Sequence, residues 1–447
     1  MNRCFLLLGL LFLSSFSCNA QIREEAQYPS VGKRIYIPED LKGMDLLSDS
    51  SRWAFSRMYC TDNLAVMWER GFGLDLASPP DLEGKKMAVD LPNLVERLES
   101  FYTFFRDTLE FIREGSKADT YRMMVMLHYS LEGTAYGGDY DKEIGALWVA
   151  PNRIQDRKLN CMAHELGHSF QAQITCDGEG EAWGGSGFFE MTSQWMLWHV
   201  NPDWVKDESY HFDAFSKLTY KAFLHLENIY HSPYIIEYWG EKHGLKSIAD
   251  LFRNGKVGED PVMTYKRLYD MTQEEFCDEM FDAVRHIVNM DYPRVWSETR
   301  PYACTISNSL DDDGDGWLAI SSDQCPENYG FNVIPVDLPK QGGKVSVDFK
   351  GMAGADGYVS KNIDKAGWRI GFVAVDVEGE TIYGDAYTVN GADKGCKISY
   401  KTPKDRELSH LYLVVMGAPT EHWKNKEGWG AEASKNDDAQ WPYKIRF

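Results

Sequence analysis

The apolar residues of this chain change period twice along its length, and that change restricts the fold more than anything else in the sequence. Short runs rich in aliphatic and aromatic residues come first, at 34–37, 63–68, 121–127 and 145–150, and read as strands. One helical pattern is set among them, at 93–114. From 159 onward apolar residues recur every three or four positions, over 159–174, 188–200, 213–228, 232–243 and 272–289, which predicts a block of helices. Beyond about residue 328 that spacing vanishes. Strand patterns follow at 345–349, 368–377, 381–389, 396–400, 411–416 and 441–447, with Glu378-Gly379 as a hairpin signal. Strands, then helices, then strands again predicts an α+β protein ending in a β-sandwich of about 115–120 residues. The expected division is a leader over 1–20, an α+β region over 21–326 (strand-rich at 30–150, helical at 155–295) and a sandwich over 327–447.

The leader is read from its charge and apolar run. Arg3 precedes an apolar stretch from Phe5 to Leu13 and then small polar residues, the layout of a secretory signal peptide too short to span a bilayer. Cleavage after Ala20 would release a secreted or periplasmic protein. A second route lipidates Cys18 and leaves a lipoprotein on the cell envelope, although Ser15 stands where a branched aliphatic residue is usual. The formal charge of −21 argues against nucleic acid or an anionic membrane surface as partner. Nine cysteines, less Cys4 and Cys18 of the leader, leave an odd number with irregular spacing, so no disulfide scaffold is expected. Cys304 with Cys325, which flank a polar loop, and Cys161 with Cys176, which bracket one helix, are the candidate pairs.

That helix carries the chemistry. In NCMAHELGHSFQ, residues 160–171, Met162, Leu166, Phe170 and Ile174 form one stripe by steps of four. His164 and His168 stack on a different face, two residues round from the stripe. Two imidazoles fixed on one helix turn suit zinc, and Glu165 is placed to take a proton from water activated by the metal. An ordinary helix with two surface or core histidines is the plain alternative. The third ligand must come from elsewhere, because Gln171 and Ile174 occupy the places of the glycine and histidine of the extended motif. Glu190 lies in a helical pattern whose apolar face holds Phe188, Met191, Trp195 and Trp198; a carboxylate pointing inward there needs a counter-charge. Glu179 and Glu181 are rivals from a polar loop.

HELGH followed by a helix bearing FFEMTSQ resembles the gluzincin class of zinc metallopeptidases. The resemblance implies a zincin-like catalytic region with a mixed sheet, metal ligands His164, His168 and Glu190, and Glu165 as general base. It also implies that 145–150 is the edge strand along which an extended peptide pairs. Gln194 stands where many gluzincins carry an aspartate that orients a zinc histidine; with Ser193 it is the candidate second-sphere partner, and it brings no charge. Tyr220, His225, Tyr230, His231, Tyr234 and Tyr238 lie where a transition-state donor would be sought. NYGFNVI and LYLVVMGAP are similar to stretches of secreted bacterial proteins grouped only as a domain of unknown function. The expected function is hydrolysis of extracellular polypeptide or glycoprotein. The rival is a non-catalytic glycan- or protein-binding protein with a structural or vestigial metal site.

Two further features belong to these readings. Asp311, Asp313, Asp315 and Gly316 match the first half of a calcium loop, but Ser322 stands where the closing glutamate belongs; the same run is also a good turn. Trp368, Tyr383, Tyr387, Trp423, Trp429 and Trp441 offer aromatic faces for sugars, although strand aromatics are mostly core.

Overall fold

The computed structural model describes residues 32–180, 183, 187–424 and 438–447. The leader, Cys18, Glu181 and Trp429 lie outside the described residues. The chain forms two compact units, one running to Glu179 and the other from Gly180 to Phe447. Helices and strands segregate as the periodicity predicts, and the protein is α+β. Among the described residues no helix is long and apolar enough to cross a membrane.

The first unit is built on a mixed five-stranded sheet. Its strands are β1 (Met58–Cys60), β2 (Leu64–Trp68), β3 (Met123–Leu127), β4 (Ala135–Tyr140) and β5 (Ile144–Val149), in the order β1-β2-β3-β5-β4. β2, β3 and β5 run parallel, with Leu64 opposite Met123 and Met124 opposite Ala146, and β1 and β4 are antiparallel edges. β2 and β3 are buried along their whole length, as continuous apolar runs in a parallel arrangement should be. Helix α1 (Leu91–Asp107) is capped by Asp90, whose side chain accepts from the Asn93 N–H, and it stops seven residues short of its predicted end. Helix α2 (Asn160–Cys176) carries the two histidines. Phe170 meets Tyr102 and Phe105 of α1 edge-on, with centroids 5.0 and 5.4 Å apart. The predicted strand at 34–37 reduces to one bridge, Arg34 to Tyr121.

β4 was expected to be a glycine-rich loop, and 145–150 the edge. Instead β5 is paired on both sides, and AYGGDY forms the edge strand, joined to β5 by a tight turn with Asp141 and Lys142 at φ 55° and 57°. The reason is steric. A Cβ on Gly137 would stand 1.9 Å from the Glu165 carbonyl oxygen and 2.8 Å from the His168 Cβ, so only glycine lets the strand lie this close to α2.

In the second unit α3 (Phe188–Val200), α4 (Trp204–Asp207), α5 (Tyr210–Phe215), α6 (Tyr234–His243), α7 (Lys246–Arg253), α8 (Pro261–Leu268), α9 (Gln273–Val288) and α10 (Trp296–Thr299) precede the strands. A capping box of Thr272 and Glu275 starts α9. The predicted helix at 213–228 does not form beyond Phe215. There the backbone bonds across the chain instead: Glu327 N–H donates to Tyr220 O (2.8 Å), Phe331 N–H to Thr219 O (2.8 Å) and Phe223 N–H to Asn328 O (3.0 Å). Gly330 permits this approach, since a Cβ there would lie 2.1 Å from Tyr220 O.

The C-terminal strands form two sheets around one core. One has the order β11-β10-β13-β8 and the other β12-β9-β14-β7-β6. The first comprises β8 (Phe331–Pro335), β10 (Gly367–Asp376), β11 (Thr381–Asn390) and β13 (Leu408–Gly417). The second comprises β6 (Asp311–Asp312), β7 (Leu318–Ala319), β9 (Lys344–Gly351), β12 (Gly395–Lys401) and β14 (Tyr443–Arg446). Trp368, Ile370 and Leu413 of the first meet Val347, Phe349 and Tyr443 of the second, all at most 2% exposed. This is a β-sandwich. β6 and β7 lie before Pro326, so its second sheet begins upstream of the expected boundary. Helix α9 lies on the first sheet, with Asp278 bonded to Arg369 and Arg285 to the Gly384 carbonyl.

Trp368 and Trp441 are fully buried, and the Trp368 indole N–H donates to Trp441 O, so these two are core rather than sugar platforms. Tyr383 donates to Asp291 (2.7 Å) and stacks on His286. Tyr387 and Trp423 pack partly buried against the sandwich core. No disulfide joins any two of the seven cysteines among the described residues, which corrects both candidate pairs. Cys161 and Cys176 sit near opposite ends of α2, and a helix rising about 1.5 Å per residue holds them roughly 22 Å apart.

Candidate metal centre

Helix α2 is anchored by the predicted stripe: Met162, Leu166, Phe170 and Ile174 are at most 2% exposed. Its hydroxyl and amide groups fix it to β5 as well. Ser169 Oγ donates to Ala146 O (2.7 Å), and Gln173 Oε1 accepts from the Gly145 N–H (2.8 Å). His164, Glu165 and His168 are half-buried on the remaining face.

The two imidazoles converge. Their Nε2 atoms are 3.1 Å apart, with ring planes at 88°. Nitrogens held at about 2.0–2.1 Å from a tetrahedral metal lie roughly 3.3 Å from each other, so the pair is within a few tenths of an ångström of ligand spacing. His168 Nδ1 is 2.9 Å from Gln171 Oε1. An amide oxygen accepts, which puts the proton on Nδ1 and leaves the lone pair of Nε2 facing His164. Two lone pairs meeting in this way need either a cation between them or a proton on the His164 Nε2. Among the described residues the Glu165 carboxylate has no hydrogen-bond or ion-pair partner, so it is available to accept a proton.

Gln171 is the residue that sequence reasoning missed. It was noticed only as the wrong residue for the extended motif, yet its position one helical turn past His168 was the signal that it could reach that ring.

Glu190 sits in the first turn of α3 in the second unit and is 9% exposed. Ser193 and Gln194 follow it on the same helix and are also buried. The Gln194 amide nitrogen donates to Tyr230 O (2.7 Å) and lies 3.5 Å from His211 Nε2, so this group ties the 228–232 turn to α3. His211 and His231 face each other through their Nδ1 atoms at 2.7 Å. Tyr234 is fully buried, and the Tyr238 hydroxyl donates to Asp282. Glu179 is exposed just beyond the end of α2. Asp311 opens the exposed strand β6, and Asp313 and Asp315 lie on the exposed turn that joins β6 to β7. The Asp313 carboxylate is paired with Lys444 at 2.7 Å, and Asp315 takes φ 51°.

The structure defines an α+β protein with a paired-histidine helix against a glycine-bearing edge strand and a C-terminal β-sandwich. The chain belongs to the family of unknown function DUF6055, which matches residues 27–447. No curated protein matches the sequence. Among solved structures it is similar to a C-terminal family 22 carbohydrate-binding module of Clostridium thermocellum Xyn10B, at 15% identity over 31% of this chain and 74% of that one, with a TM-score of 0.19. It is also similar to Legionella pneumophila aminopeptidase A, solved in complex with aspartic acid, at 10% identity over 78% of this chain and 35% of that one, with a TM-score of 0.36. At such identities and TM-scores neither likeness bears on activity or ligand.

Proposed function

We propose that the chain is an exported zinc metallopeptidase of gluzincin type, with His164, His168 and Glu190 as ligands and Glu165 as general base. The observation that carries this reading is the pair of Nε2 atoms 3.1 Å apart with Gln171 on the far side of one ring. That donor set fits zinc: two imidazoles fixed on one helix turn, and a buried carboxylate on α3. When bound, zinc supplies Lewis-acid polarisation of a peptide carbonyl and makes water more acidic. Glu165 takes the proton from water and passes it to the leaving amine. β4, an edge strand among the described residues, offers that edge to an extended peptide, which would pair antiparallel or parallel to it through main-chain bonds. The signal-peptide pattern places the substrates, polypeptide or glycoprotein, outside the cytoplasm.

Metal analysis of the purified chain and digestion of a peptide library test this together. Wild type should carry zinc and cleave. Glu165→Gln should keep zinc while cleavage falls by about 10²–10⁴-fold, the usual worth of a general base. Glu190→Ala should lose zinc. Failure of wild type to cleave, with no zinc bound, would establish the rival reading of a non-catalytic binding protein whose His164 and His168 merely share a proton.

A further inference from the structure

His225, Glu327 and Asp438 come from three distant parts of the second unit, and each offers a ligand atom within 4.8 Å of the others'. His225 lies in the turn-rich stretch after α5, Glu327 just before β8, and Asp438 just before β14. His225 is 9% exposed and Glu327 fully buried. The His225 Nδ1 accepts from the Glu227 N–H at 3.2 Å, which fixes the tautomer with its proton on Nε2 unless a metal replaces it. One Glu327 oxygen accepts from the Ala222 N–H at 2.8 Å; the other is 3.5 Å from Lys221 Nζ. Lys221 is shared with Glu227, 3.9 Å away, so one ammonium faces two carboxylates. Burial and the neighbouring Asp438 push the Glu327 carboxyl up to about 7, against the pull of Lys221.

We propose that His225, Glu327 and Asp438 form a second, structural site for a first-row divalent metal, zinc or manganese. One imidazole with two carboxylates is a borderline donor set that suits these ions and does not suit calcium, which takes oxygen alone. Ligand atoms about 2.0–2.2 Å from a tetrahedral ion are roughly 3.5 Å apart, so shifts of about 1 Å close the shell. Such rearrangement is within reach of three side chains carried by irregular backbone. The metal would staple the 219–231 stretch to the start of β8 and to the start of β14, where residues 219–223 already bond to 327–331. It would also release Lys221 to Glu227.

The test uses the full chain carrying His164→Ala and His168→Ala, so that the site on α2 cannot bind and the outcome is independent of the peptidase reading. This double variant should retain about one equivalent of zinc or manganese after dialysis, gain thermal stability when either ion is added, and ignore calcium. Adding His225→Ala with Asp438→Asn should weaken the ion by at least about 100-fold and abolish the thermal gain, while circular dichroism stays unchanged. Glu327→Gln serves as a second probe if its buried bond to Ala222 survives. Lys221→Met should tighten metal binding, because a competing cation is gone. The proposal is overturned if the double variant binds no metal at micromolar concentration, or if the ligand variants bind as well as their parent. It is equally overturned if Lys221→Met only lowers the melting temperature and added metal does not restore it, for then Lys221 is the sole counter-ion.

Discussion

At the scale of single residues the decisive question is where one proton sits. Imidazole binds a metal only through a lone pair, and the nitrogen that keeps the lone pair is set by what the other nitrogen donates to. Gln171 Oε1, 2.9 Å from His168 Nδ1, makes that choice from within the same helix. Leucine at this position keeps the size of the side chain and removes the acceptor, leaving both tautomers open. Gln171→Leu should therefore weaken zinc about 10–100-fold, the usual worth of such a partner, while the helix persists. Competition with a chromophoric chelator measures it; affinity within twofold of wild type would show that the amide does not select the tautomer. Gln194, expected to accept from a histidine in this way, donates its amide N–H to Tyr230 O. It differs from Gln171 in belonging to a helix whose neighbours could not be read from spacing, whereas a partner three residues along the same helix can be.

Among elements, β4 is the most informative. Gly137→Ala would force a Cβ to within 1.9 Å of the Glu165 carbonyl oxygen, which is backbone and cannot swing aside. We expect a cost of about 1–3 kcal/mol and a loss of zinc, as overpacking displaces the strand or the helix turn that carries the ligands. Gly138→Ala is the internal control. Its Cβ would meet only the mobile end of Tyr136, at 3.2 Å from the hydroxyl, and urea denaturation should separate the two variants clearly. The same strand shows what was legible. The stripe of α2, the buried runs of β2 and β3 and the hairpin at Gly379 follow from periodicity and turn chemistry, both local properties. β4 escaped because Gly137 is there for a neighbour distant in sequence. The stretch 213–228 escaped for the mirror-image reason: its apolar spacing is helical, but residues 327–331 take its backbone bonds. Where a partner far along the chain decides, local pattern misleads. So the two histidines and their helix were readable, and the strand beside them was not.

At the scale of the whole molecule two electrostatic effects oppose each other as pH falls. The chain carries a formal charge of −21, and protonating surface carboxylates relieves self-repulsion, which favours the compact state. Against this stands Glu237, 1% exposed on α6, which accepts from the Trp195 indole N–H (2.8 Å) and His199 Nε2 (2.9 Å) and pairs with Arg294 (2.6 Å). Burial alone would raise its carboxyl, but His199 and Arg294 outweigh burial and bring it down to about 2 from 4.5. A carboxylate held lower in the folded state than in the unfolded one contributes stability that is complete above about pH 4.5 and is lost as pH falls toward 2. His199, which burial holds below its usual 6.5 despite Glu237, works in the same direction: the unfolded chain takes up its proton first as the solution drops below 6.5. Down to the isoelectric point near pH 5 the local loss should exceed the relief of surface repulsion, because buried groups are screened far less than exposed ones; below it the chain turns net positive and repulsion adds to the loss. Glu237→Gln separates the two. Near neutrality it should cost about 3 kcal/mol, the order found when one partner of a buried ion pair is removed. Below pH 4.5 its unfolding midpoint should fall less steeply than that of wild type. Parallel curves for the two proteins across pH 6 to 3 would mean that acid sensitivity resides in the distributed surface charge and not in this buried cluster.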